Sequence, residues 1–163
     1  MLPTLSADLR LSGLDLAEIT SVWDFGRIEG RLSGHVLGLR LIDWEPVAFA
    51  AALATEPEGR RRISQRAVEN LAALGGGGAA AALRRGVLRA FSSFAYERIG
   101  LSCTLSRNVC RMDGVGSAGT GYLILRGSGV PRIDVVGHQR EVDWPVLLAR
   151  LRAAVAGGGP VIE

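Results

Sequence analysis

The sequence predicts an α+β domain built on a mainly antiparallel β-sheet. Three observations carry that expectation. Segments with period-two alternation of apolar and polar residues recur along the chain, separated by Gly- and Ser-rich turns, as in meanders. Segments with helical spacing come in blocks and do not alternate one for one with strands. At 163 residues, 48% hydrophobic but only 6% aromatic, the chain suits one domain whose core rests on Leu, Val and Ala. The expected organisation is a single module over 1–158 and a flexible tail at 159–163.

From Thr4 to Ser12 the alternation is strict, with Leu5, Ala7, Leu9 and Leu11 on one face of a half-buried strand. A short helix follows, with Asp15 as N-cap, Glu18 completing a capping box, and Gly26 as its stop. "RIEGRLSGHVLGLRLID" returns to alternation, but Ile28, Leu32 and Val36 share one phase while Leu37, Leu39 and Leu41 share the other. A β-bulge or turn near Gly34–Gly38 would absorb that slip. "PVAFAAALATE" alternates through Val47, Phe49, Ala51 and Leu53 and reads as a strand, although its alanines and Pro46 also suit a helix. From Arg60, the residues Ile63, Ala67, Leu71 and Leu74 make an apolar helical stripe. From Ala79, Leu83, Val87, Ala90, Phe91 and Phe94 make a second.

Four glycines, Gly75–Gly78, separate the two stripes. A phosphate loop would need Lys and Ser or Thr directly after the last glycine, and a dinucleotide loop would need a strand leading in. Four alanines follow and a helix leads in, so the glycines read as a helix break with a positive-φ C-cap. The second half is sheet again. Ile99, Leu101, Cys103 and Leu105 share a face, as do Cys110 and Met112; "GYLILRG" and "PRIDVVGH" follow. A last helix begins after Asp143, with Pro145 in its first turn and Leu147, Leu148, Leu151 and Val155 as its stripe.

The net charge of +3 and pI near 9.5 invite a nucleic-acid reading, but all 19 basic residues are Arg and stacking aromatics are scarce. The one dense cluster, "GRRR" at Gly59–Arg62, reads as a solvated helix start, and no nucleic-acid partner is expected. No apolar run reaches the roughly 18–20 residues that span a bilayer, and the chain reads as soluble. No nucleophile motif, cofactor box or ligand-spaced histidine is present, so no enzyme, cofactor or metal is expected; Cys103, Cys110, His35 and His138 match no usual zinc spacing. The cysteines flank the turn "SRN". A hairpin closing at Ser106–Arg107 would set Cys103 directly opposite Cys110 for a disulfide in an oxidising compartment. The other reading is a pair of buried thiols.

The segments "FGRIEGRLSGHVLGLRLIDWEPVAF", "RRISQRAVENLAALGGGG", "ERIGLSCTLSRNVCRMDGV" and "VDWPVLLARL" together resemble the C-terminal region of AsmA-like proteins of Gram-negative bacteria, most of all the YdbH type. The resemblance spans nearly the whole chain and implies a large periplasmic protein held in the inner membrane by an N-terminal helix. Its stacked β-repeats form a groove that carries phospholipid between the membranes, with this chain at the outer-membrane end, so the resemblance also implies that the sheet is curved. The "dicarboxylate transport" name also used for such proteins has no support in the residues, since nothing here forms a spanning carrier.

On that reading the groove-lining candidates are Leu9, Leu11, Ile28, Leu32 and Val47, with Phe49, Leu53, Leu101 and Met112. The partners are phospholipid, the upstream repeats and a small outer-membrane lipoprotein. The lipoprotein would add a strand to an edge formed by Tyr122, Ile124, Ile133 and Val135. The alternative reading is a structural or assembly domain that docks an outer-membrane protein or lipoprotein and carries no lipid.

Overall fold

Alternation, caps and turn residues act locally much as their chemistry dictates. The computed structural model describes residues 2–75 and 90–155. In chain order these form β1 (Thr4–Asp15), α1 (Leu16–Val22), β2 (Ile28–Glu29), β3 (Arg31–Ile42), β4 (Glu45–Thr55), β5 (Arg62–Ser64) and α2 (Gln65–Leu74). Then come β6 (Ser93–Ser106), β7 (Val109–Asp113), β8 (Gly116–Ala118), β9 (Gly121–Gly127), β10 (Val135–Gly137), β11 (Glu141–Asp143) and α3 (Trp144–Val155). The fold is α+β, with an open, curved and mostly antiparallel sheet.

One face of the molecule is a meander in the order β1-β3-β4-β6, continued by β7 and β11. Strand β6 then leaves that sheet. Its first half pairs with β5 through Ser93–Ala95 and with β9 through Tyr96, Arg98 and Ile99. At the departure point Thr55, 4% exposed, does the work of a missing strand residue. Its Oγ1 accepts from the Ile99 N–H at 2.9 Å and donates to the Ile99 carbonyl at 3.3 Å. The side chain thus satisfies both backbone groups where β4 stops.

Two hairpins close on two-residue turns whose central residues both have positive φ, Asp43–Trp44 and Arg107–Asn108. This is the arrangement that matches strand twist. The expected phase slip in β3 is a bulge. Ala7 opposes Leu39 but Leu9 opposes Val36, so β3 carries the extra residue at Leu37–Gly38. Asp8 Oδ1 accepts the freed Gly38 N–H at 2.7 Å.

The helices differ from expectation at their ends. Asp15 caps α1 by accepting from Ala17 and Glu18, but the helix stops at Val22, where Trp23 turns extended, before Gly26 is reached. The second helix begins at Gln65, capped by Ser64, and not at Arg60; Ile63 is the centre of β5. The Gly59–Arg62 cluster is therefore no helix start. Arg60 lies 2.7 Å from Glu29, Arg61 donates to the Glu97 carbonyl and Arg62 to Ser93. Arg27, with Arg60 beside it, holds the Glu29 carboxyl below its ordinary value against the cost of desolvation. Gly75 ends α2 with φ −81°, not a positive value. It is needed for space: a Cβ there would lie 2.7 Å from Ile124 Cδ1 and 2.9 Å from Gly137 Cα. Gly76–Gly78, the helix expected from Ala79 and the tail lie outside the described residues. Phe94, assigned to that helix, is a buried residue of β6.

The core lies between α2 and the β6–β9–β10 strands, centred on Ile63, Val68, Phe94, Tyr96, Tyr122 and Ile124. Tyr96 donates to the Glu29 carbonyl at 2.6 Å, and burial pushes its pKa up to about 12. Burial also raises Tyr122, against the Arg140 charge beside its ring. Neutral phenols are thus favoured by folding. The stabilisation is complete below the ordinary value of 10.0 and is lost as pH climbs through the folded value near 12. These are the chain's only tyrosines. The near-ultraviolet phenolate band of native protein is expected to stay small at pH 10 and to rise to about half of full ionisation on adding urea.

Candidate functional site

Directly opposed residues of antiparallel neighbours point to the same face, so the pairing register reads out both faces of the meander. One row runs Leu9–Val36–Ala51–Cys103–Met112 across five strands. The next runs Leu11–Gly34–Leu53–Leu101. Beyond the bulge, Leu39 and Leu41 oppose Ala7 and Leu5, so the bulge returns both phases of β3 to one face. None of these residues is charged. The opposite face carries rows such as Arg10–His35–Ala52–Ser102–Asp113.

The apolar face is closed at one end and open at the other. Near β7 it is sealed, with Leu105 at 2% exposure, Cys110 at 0% and Met112 at 1%. The seal is α3, whose Leu147 is buried and whose Trp144 meets Phe49 edge-to-face at 5.5 Å. The residues of β3 and β4 on this face are half-buried. At β1 the face is bare: Leu5 is 49% exposed and Leu9 45%. Met112, expected to line an open groove, is instead core beneath α3. Val47 sits at a second bulge, where Ala48 opposes Arg40 but Pro46 opposes Leu41.

Beneath α1 the same face deepens into a cavity of about 250 Å³. Leu16, Ile19 and Trp23 of the α1 segment, Phe25 and Ile28 form its roof and wall; Leu32, Leu53 and Leu101 come from the sheet, and Leu71, Ile99 and Ile124 close the back. The hydroxyl of Thr20 in this lining donates to the Leu16 carbonyl and accepts from Ile28, so it offers no free polar group. Of the expected groove residues, Ile28, Leu32, Leu53 and Leu101 meet here, while Leu9 and Leu11 lie on the open part. Trp23, Phe25 and Leu71 were missed as site residues, and Ile124 was assigned to a strand-accepting edge, not to this cavity. Trp23 carried a signal in the sequence, an indole at helical spacing from Leu16 and Ile19.

Of the two strands expected to accept a partner, β10 pairs with β9 alone, but β9 is not an edge. Leu125 pairs with Ile99 on one flank and Val135 on the other, and Tyr122 pairs with Ser117 and Gly137, so β9 has neighbours on both sides. Tyr122, Ile124 and Val135 are 0% exposed, and Ile133 is buried just outside β10. Short strands such as β10 also have a single neighbour, but the long strand that pairs on one side only is β1, whose partner is β3 alone.

Cys103 and Cys110 form a disulfide with Cα atoms 5.6 Å apart. The turn is one residue later than expected, so Cys103 opposes Met112, Cys110 opposes Leu105, and the bridge is diagonal. Closing so short a loop contributes about 2 kcal/mol in the chain-entropy account. Both thiols are consumed, so neither joins His35 or His138 at a metal. Among the described residues no group of three or more His, Cys, Asp or Glu side chains could hold an ion. Among the same residues no helix is long and apolar enough to cross a membrane.

No family model matches the chain, and neither a curated protein nor a solved structure shows significant similarity to it.

Proposed function

We propose that the chain is the terminal β-groove module of an AsmA-like, YdbH-type periplasmic protein and that its apolar face binds or passes phospholipid acyl chains. The observation that carries this reading is the charge-free face of the meander, sealed at Met112 and bare at Leu9. Such a face gives an acyl chain a continuous low-dielectric surface, worth roughly 0.8 kcal/mol for each methylene removed from water. The cavity beneath α1 is smaller than a typical ligand pocket and suits the end of one chain, not a whole lipid. The disulfide suits an oxidising compartment. In this reading upstream repeats supply the rest of the groove, and a small outer-membrane lipoprotein takes the lipid onward. Strand addition at β9 is not part of it, because both flanks of that strand are occupied. No residue is assigned a catalytic role.

Photo-crosslinking amino acids in the full-length protein in cells test the reading. Probes at Leu9, Leu11 and Leu53 are expected to capture phospholipid, and probes at Ser6 and His35, on the charged face, are not. Silence at all three apolar positions, or equal capture on both faces, overturns lipid carriage and leaves a domain that docks a partner without carrying lipid.

A further inference from the structure

The free edge of β1 is the longest unpaired strand edge among the described residues, and it has few of the usual guards. It lacks Lys, its single Pro3 precedes the strand, and its one bulge lies at Ser12–Gly13, where a regular run ends. That run reads Ser6-Ala7-Asp8-Leu9-Arg10-Leu11-Ser12, and it is self-complementary about Leu9. Set antiparallel to a copy of itself with Leu9 facing Leu9, it brings Asp8 opposite Arg10 twice. It also brings Ala7 opposite Leu11, and Ser6 opposite Ser12. Apolar residues stay on the apolar face and charges on the charged face. Slipping by two residues one way faces Asp8 with Asp8, and the other way faces Arg10 with Arg10. Like charges directly opposed destabilise a sheet, so the charges select one register.

We infer that the β1 edge is a two-fold interface for a second copy of this chain, paired Ser6–Ser12 and centred on Leu9. A closed two-fold contact of this kind satisfies both edges at once. It would double the apolar face into one continuous sheet with Leu9 at its midline. The inference stands on the strand's geometry and charge order; a second copy there takes the edge that upstream repeats would occupy in the lipid reading, so the two compete for β1.

Single cysteines test both the contact and its register, with the native disulfide left oxidised. Leu9→Cys is expected to give a disulfide-linked dimer under mild oxidation, while Ala7→Cys and Leu11→Cys alone stay largely monomeric. Mixing those two proteins is expected to yield the mixed dimer. Arg10→Glu faces Asp8 with a carboxylate twice and is expected to weaken self-association about tenfold or more in sedimentation. The Asp8→Arg/Arg10→Asp exchange is expected to restore it. Asp8 also accepts the Gly38 N–H, so Arg10→Glu, at an exposed side chain, is the variant whose folding is least at risk. A chain that sediments as a monomer at every concentration overturns the inference, and so does crosslinking at Ala7 or Leu11 as efficient as at Leu9. Either result leaves the edge to a strand from elsewhere in a longer protein.

Discussion

Tyr122→Ala is expected to lose about 3–5 kcal/mol of stability, the range for deleting a fully buried large aromatic. The ring is 0% exposed and is held on three sides. Its hydroxyl donates to the Gln139 carbonyl at 3.0 Å, and the Arg140 guanidinium lies 5.5 Å from its centroid. The Gly137 backbone lies against its flank so tightly that a Cβ there would overlap the ring. Few domains exceed 5–15 kcal/mol in total, so the variant takes a large share of what holds the chain folded. Tyr122→Phe keeps the ring and leaves one carbonyl without its donor, and about 1 kcal/mol is expected. Urea unfolding measures both. A Phe variant as damaged as the Ala variant would mean the hydroxyl, not the ring, is what matters.

Gly127→Ala is expected to cost about 1–3 kcal/mol through crowding, and more if the backbone cannot yield. The residue ends β9 where the chain from Ser128 to Asp134 folds back over it, and Asp134 Oδ1 accepts its N–H at 2.8 Å. A Cβ would meet Ile133 N at 2.7 Å and Ile133 C at 2.8 Å, and would overlap the Ile133 carbonyl oxygen. These are main-chain atoms beside a buried side chain, so no rotamer change relieves them. Thermal unfolding reads the cost at about 2–4 °C per kcal/mol for a chain of this size. An unchanged midpoint would show that the 128–134 segment moves aside freely.

Strands buried on one face were legible because their alternation is a direct image of that burial. Thr4–Ser12, Phe49–Leu53, Ile99–Leu105 and the Cys110–Met112 pair all fall where period two puts them. The bulge in β3 was legible as a phase slip. Strand β9 was placed correctly but its interior position was not legible, because a strand buried on both faces has no alternation to show; "YLIL" was assigned to an edge when it marks an interior strand. The start of α2 failed for a related reason. Ile63 fits a helical stripe and a short strand equally well, and only the Ser64 cap decides. The hairpin turn missed by one residue because Arg107 and Asn108, not Ser106 and Arg107, take positive φ. A one-residue shift of the turn moves the pairing by two, so the facing of both cysteines survived while their opposition did not. The cavity was legible only in part, since it joins residues as far apart as Leu16 and Ile124 that no local pattern links.

Strand β6 makes main-chain ladders with β4, β5, β7 and β9. It is the hub through which the meander and the buried core are wired together. Its partners reach from Phe49 to Gly127, so most of its ladder closes between residues far apart in the chain. Such a layout makes for slow folding, because the entropy of large loops must be overcome before the pairings can repay it. A nascent chain that has not yet emerged past Ser106 carries β1, β3 and β4 with their apolar face uncapped, since α3 arrives last. Until α3 emerges, the end of that face beside Phe49 lacks the Trp144 contact that covers it in the folded chain.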